Sequence, residues 1–176
     1  MERTNIDKSN GEGGTRTATF EREIFIAFKD YFPKAFFVRI YDMQYTPQKP
    51  FDFVLFEGGI FYGIEAKHQK SHLDFRRIKE HQWEHLQKVE DNGGNAFFII
   101  RIEDPKKAQK KFRGFVISMD QLKIMRDEIG KKSCNANDLE KYAEFEGERI
   151  KLPNGKYTWN FPEYFIEFRK MPKSGM

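Results

Sequence analysis

The sequence predicts a mixed α/β protein, with a mixed central β-sheet flanked by helices. Three observations carry that prediction. Helical and extended periodicities alternate along the chain in the order α-β-β-β-α-β-β-α. Gly58-Gly59 joins two β-rich runs, and a two-residue loop of this kind needs positive φ at both positions, so the segment reads as a tight hairpin. A helical stretch inside the passage from Ile60 to Ile102 supplies a crossover, which can set its first and last strands parallel with a right-handed connection.

Residues 1–15 are polar, rich in Gly and charge, and free of apolar periodicity, which predicts a flexible basic/polar N-terminal arm. One domain is expected over 16–170, followed by a loose basic tail at 171–176. From Thr17 the apolar residues Phe20, Ile24, Phe28 and Phe32 recur every four positions, giving a helix with one apolar face that Pro33 ends. Glu21 and Glu23 fall in its first turns, where carboxylates suit the positive end of the helix dipole. The alternative for Glu21, next to Phe20, is that it points to the hairpin as a further metal or water ligand.

Ala35 to Tyr41 reads as a strand, apolar apart from Arg39, and Asp42 to Pro50 as a short connector with two prolines. The hairpin from Phe51 to Lys67 (FDFVLFEGGIFYGIEAK) follows and completes a three-stranded meander. His68 to Arg77 is polar and basic and reads as a loop. A helix is expected from Ile78 to Glu90, with Ile78, His81 or Gln82, Trp83, Leu86 and Val89 inward, stopped by Asn92-Gly93-Gly94. Ala96 to Ile102 and Phe112 to Ser118 are strands, separated by an exposed loop with Pro105 and the run KKAQKK. Asp120 can cap a helix ending at Gly130, and Asn135 or Asn137 a second reaching Phe145. Asn154-Gly155 marks another hairpin, and Pro162 opens the last helix.

Composition bounds the functional classes. A chain of 176 residues with 39% apolar and 16% aromatic residues has enough material for an ordinary core, which argues against disorder for most of its length. The net charge of +4 and a pI near 9.0 are compatible with a nucleic-acid partner without requiring one. Cys134 is the single cysteine, so neither an intramolecular disulfide nor a thiolate metal cage can form. No apolar run reaches the roughly 18–20 residues of a membrane span, and the N-terminus has no apolar signal region. The expected setting is soluble, reducing and cytoplasmic.

The chemistry concentrates in the hairpin. If Glu57 and Ile60 flank its turn, Asp52 falls opposite Glu65, on one face and with Cβ atoms roughly 4.5–5.5 Å apart. Strand alternation brings Lys67 to the same face. Paired carboxylates in apolar surroundings raise one another's pKa unless a cation intervenes. A hard cation such as Mg²⁺ would satisfy both; a structural ion pair with Lys67 is the alternative reading. His81-Gln82-Trp83-Glu84-His85 fits an inverted zinc-protease pattern, but no third ligand is placed for it, and histidines along a groove explain it better. No phosphate-binding or dinucleotide glycine fingerprint is present.

Asp52, twelve intervening residues and then Glu65-Ala66-Lys67 resemble the PD-(D/E)xK nuclease motif, with Pro50 one residue from the expected proline. The succession continues with a basic loop, Gln82 and its flanking histidines on a helix, Gly93-Gly94 and the apolar strand from Ala96. In this the chain is similar to the RecU-type Holliday junction resolvases from Phe51 to Ser118. The resemblance implies a restriction-endonuclease-like core and Mg²⁺-dependent cleavage of branched DNA, with Mn²⁺ as a substitute metal, by a homodimer acting in recombination and repair. It implies that Asp52, Glu65, the Ala66 carbonyl and Gln82 serve the metal, and that Lys67 orients the attacking water and offsets developing charge. Glu21 matches an acidic helix residue of the wider superfamily. Arg16, Arg39, Lys70, Arg76, Arg77, His81 and His85 are candidate DNA contacts, with Lys106, Lys107, Lys110 and Lys111 as further phosphate contacts.

Two departures stand out. The connector before Asp52 is too short for the stalk that such enzymes insert into the junction, and Pro50-Phe51 replaces the family's threonine. The alternatives are another nuclease of this fold with a flap or duplex substrate, or a non-catalytic DNA-binding homologue.

Overall fold

The computed structural model describes residues 12–41, 48–103 and 111–170, with 12–16 described by backbone alone. The chain opens with α1 (Glu12–Tyr31) and the meander β1 (Phe36–Arg39), β2 (Phe53–Glu57) and β3 (Ile60–Lys70). A short β4 (His72–Asp74) and a single 3-10 turn lead to α2 (Glu80–Asp91). Then come β5 (Asn95–Glu103), β6 (Phe112–Ser118), α3 (Met119–Ile129), β7 (Ser133–Asn135) and α4 (Ala136–Tyr142). The last described elements are β8 (Phe145–Gly147), β9 (Arg149–Lys151), β10 (Tyr157–Trp159) and α5 (Pro162–Lys170).

Six strands form the central sheet in the order β1-β2-β3-β5-β6-β8. The β3–β5 pair is parallel and every other pair in the sheet is antiparallel, so the sheet is mixed, as expected. The hairpin register is the expected one, Phe53 opposite Ile64 and Glu57 opposite Ile60. Gly58 and Gly59 both have positive φ, 59° and 80°, which only glycine adopts freely.

Alternation along the strands separates two cores. Tyr62, Ile64 and Ala66 of β3, with Phe97 and Ile99 of β5, pack under α1 and α5 together with Trp159 and Phe161. Phe98, Ile100 and Ile102 of β5, with Phe115 and Ile117 of β6, pack under α2, α3 and α4. Aromatic rings dominate the first cluster, where Phe28, Phe37 and Phe53 stack in series with ring centres 5.0 and 5.6 Å apart. Cys134 is buried in the second cluster, and burial pushes its thiol up to about 12, an inert structural cysteine.

Several element boundaries differ from the sequence reading. The first helix starts five residues before Thr17, which takes Glu21 and Glu23 out of its first turns and into its interior. The segment from His68 to Lys70 continues β3 instead of forming a loop, because pairing with Arg101, Ile102 and Glu103 of β5 extends the ladder. Ser118, not Asp120, caps α3, its side chain accepting from the Gln121 amide. Asn135 caps α4, which stops at Tyr142. Residues 12–15 of the expected arm are instead the start of α1, while its residues 1–11, the tail at 171–176, residues 42–47 of the connector and the loop carrying Lys106, Lys107 and Lys110 lie outside the described residues. No described helix is long and apolar enough to cross a membrane.

Candidate active site

Three elements meet at one cleft: the approach to β2, the middle of β3 and the first turn of α2. Glu65 and Lys67 alternate with Ile64 and Ala66, whose side chains belong to the α1 core, so the two charged groups face the α2 side of the sheet. Gly63 lets α2 come close. A Cβ there would meet Val89, Phe51 and Leu86 at 3.1–3.3 Å, and this close packing brings Gln82 down to the strand. Asp52 lies just outside β2, but its amide still bonds to the Ile64 carbonyl at 3.1 Å and so keeps the hairpin register.

The side chains then lock together. Lys67 Nζ is 2.7 Å from Glu65 Oε1 and donates to Gln82 Oε1 at 2.9 Å. Gln82 Nε2 donates to the same Glu65 oxygen at 2.6 Å. The Lys79 amide also donates to Gln82 Oε1, at 3.1 Å. Asp52 accepts the Ala66 amide on Oδ2 at 2.8 Å and meets Lys49 Nζ with Oδ1 at 2.6 Å. Glu21, reaching over from α1, is paired with Arg39 of β1.

These acids are buried together. Glu65 is 2% exposed, Asp52 3% and Glu21 7%. Burial, and then the charge of Asp52, pushes the Glu65 carboxyl up to about 8, against the opposing pull of Lys67 and Lys49. The same two causes raise Glu21, with Arg39 and Lys49 opposing them. Glu65 Oε2 is buried with no hydrogen-bond partner. A buried carboxylate oxygen left bare costs free energy unless something outside the described atoms satisfies it.

A hard divalent cation fits that vacancy of bonding. Asp52 and Glu65 offer carboxylate oxygens, the donor type such ions prefer, and an ion that keeps several waters needs only one or two protein carboxylates. No set of three or more His, Cys, Asp or Glu arranged to hold a metal occurs among the described residues. The histidine pair does not assemble a zinc site either. His81 and His85 have ring centres 6.5 Å apart, and His85 Nδ1 bonds to the His81 carbonyl at 2.6 Å.

The structure brings Asp52, Glu65, Ala66, Lys67, Gln82 and Glu21 to one cleft of about 420 Å³. Gln82 accepts from Lys67 Nζ and the Lys79 amide on its oxygen and donates from its amide to Glu65. Among the candidate DNA contacts, Arg76 and Arg77 are exposed at the cleft rim, Lys70 is exposed at the end of β3, and His81 and His85 are half-buried on α2. Arg76 is also held by Asp74 at 2.6 Å. Arg39 turns inward to Glu21 and covers the Tyr41 ring, and Lys111 pairs with Glu103 at 3.0 Å. Arg16 is described by backbone alone. Sequence reasoning missed Lys49 and Lys79 as cleft residues. Only the three-residue spacing of Lys49 from Asp52 could have pointed to the first.

The family model described as RecU, Recombination protein U, matches residues 33–153, more than half of the chain, and that span includes both acids, Lys49, Lys67 and Gln82. Among solved structures, Hjc from Archaeoglobus fulgidus, a Holliday junction resolvase from an archaeal hyperthermophile, aligns with a TM-score of 0.47 at 21% identity, over 72% of this chain and 92% of that one. Comparison with curated protein sequences finds no match. Resolvases of this kind are metal-dependent. The chain belongs to the RecU family of Holliday junction resolvases, endonucleases that hydrolyse phosphodiester bonds of DNA.

Proposed function

We propose that this protein is a Mg²⁺-dependent endonuclease that resolves four-way DNA junctions by paired nicking, as a homodimer acting in the cytoplasm, with one nuclease domain over residues 16–170. The observation that carries the reading is the bare, buried Glu65 Oε2 beside Asp52, in a cleft rimmed by cations. Asp52 and Glu65 would hold the metal, with the Ala66 carbonyl completing the backbone share. Bound there, Mg²⁺ (or Mn²⁺) lowers the pKa of water and screens the phosphodiester anion.

The remaining work falls to the chain itself. Lys67 stands on the acid face with an ammonium that can orient the attacking water and offset charge developing on the phosphoryl oxygens. Gln82 fixes both Lys67 and Glu65 through its two amide atoms. Glu21, buried beside Asp52 and paired with Arg39, holds the helix side of the cleft. Arg76 and Arg77 meet the DNA backbone, so binding weakens as salt rises.

Two symmetric nicks call for two sites related by a two-fold axis, and C₂ is the commonest oligomer symmetry. The direct test is cleavage of a four-way junction and of linear duplex, with Mg²⁺ and with chelator. Junction cleavage that requires Mg²⁺ supports the reading; duplex cut at equal protein with the junction left intact overturns it.

A further inference from the structure

Lys49 lies outside the motif that carries the site, yet its ammonium sits among the acids. It contacts Asp52 Oδ1 at 2.6 Å and lines the same cleft as Glu65 and Glu21. One ammonium thus pairs with one carboxylate of the cleft and shares the cleft with the other two. Its position differs in kind from that of Lys67. Lys67 is built into β3 and held by Gln82, whereas Lys49 lies in the segment 48–52, which belongs to no helix or strand. A point charge on a flexible four-carbon stem is suited to occupy such a position and to leave it.

We propose that Lys49 is an internal counter-ion for the metal position, neutralising the acid cluster when no divalent cation is bound and competing with the cation for Asp52. The inference rests on the reading of the cleft as a metal site. Binding the cation then requires breaking the Lys49–Asp52 pair, which lowers the affinity of the DNA-free protein for metal. The released ammonium joins the positive rim of Arg76, Arg77 and Lys79, where a DNA phosphate is its natural partner. Metal and DNA therefore strengthen each other's binding, by equal factors at equilibrium.

The test is calorimetric titration of DNA-free protein with Mg²⁺ alone, for the wild type, Lys49→Met and Lys49→Arg. Lys49→Met is expected to bind Mg²⁺ about tenfold more tightly, because the competitor is gone. Its metal-free melting temperature is expected to fall and to recover at saturating Mg²⁺. Lys49→Arg, which keeps the charge and grips a carboxylate with two donors, is expected to bind Mg²⁺ several-fold more weakly. Should Lys49→Met not fold, the arginine variant carries the test. Equal Mg²⁺ affinity in wild type and variants overturns this proposal alone, whereas a wild type that takes up no Mg²⁺ overturns the metal-site reading with it.

Discussion

Glu21 and Glu23 stand two residues apart on α1, both buried, at 7% and 4% exposure, and they end in opposite surroundings. Glu23 is enclosed by donors. Arg101 meets it at 3.2 Å, the Trp159 indole donates to it at 2.8 Å, and Arg149 pairs with it as well. Those arginines are themselves stacked, Arg101 over Phe20 and Arg149 over Tyr157. Glu21 faces the cleft, where burial and then the charge of Asp52 raise its pKa and the Glu65 oxygen is bare. One centre is saturated with hydrogen bonds and cation–π contacts; the other pairs each acid with a cation and still leaves one carboxylate oxygen without a hydrogen bond. Saturation suits an acid that holds the fold together, and an unpartnered oxygen suits the acids to which we assign the metal.

The sharpest way to break this contrast is Asp52→Asn. Loss of a carboxylate to which we assign the metal is expected to lower junction cleavage by at least about a hundredfold, with melting in chelator little changed. Retained cleavage in a gel assay would place the chemistry elsewhere.

Next comes the pair Glu23→Gln and Glu21→Gln, followed by thermal melting. Removing the charge of Glu23 leaves buried guanidinium groups uncompensated and is expected to cost roughly 3–5 kcal/mol, which lowers the melting temperature by about 10 °C. Removing the charge of Glu21 relieves repulsion from Asp52 as it breaks the Arg39 pair, so its effect is expected to stay within about 1 kcal/mol. Equal losses in the two variants would erase the distinction.

The smallest expected effect is on pH dependence. Glu65 holds its proton more tightly in the folded state than at its ordinary value near 4.5. Its contribution to stability is therefore full below that value and is lost as pH rises through about 8. Metal-free protein is expected to melt a few degrees lower at about pH 9 than at about pH 6, and Mg²⁺ is expected to reduce the difference. Melting curves in chelator and in Mg²⁺ read this directly, and a metal-free protein that gains stability across that interval would contradict it.

Much of the site was legible in the sequence because it sits on a hairpin. Two glycines set the turn, the turn set the register, and the register placed Asp52, Glu65 and Lys67 on one face. Helical spacing left His81 and Gln82 as alternatives on the inward face, and the family resemblance singled out Gln82. The saturated centre was hidden. Its donors come from β5, β9 and β10, and no local periodicity announces a contact between Glu23 and Arg149. The early start of α1 was hidden too, since Gly13 and Gly14 are poor helix formers and the turn they occupy has no apolar stripe. Lys49 escaped because a side chain in irregular backbone has no period to set its direction.

The bond from the Ala66 amide to Asp52 Oδ2 has one further consequence. β2 ends at the register of Ile64, so on that edge of β3 a carboxylate replaces the next backbone partner. The N–H of Ala66 is thus a spectroscopic witness placed inside the cleft. Its chemical shift and its rate of exchange with solvent respond to whatever Asp52 is holding, so one backbone resonance can follow proton, lysine and metal in turn without any DNA being cut.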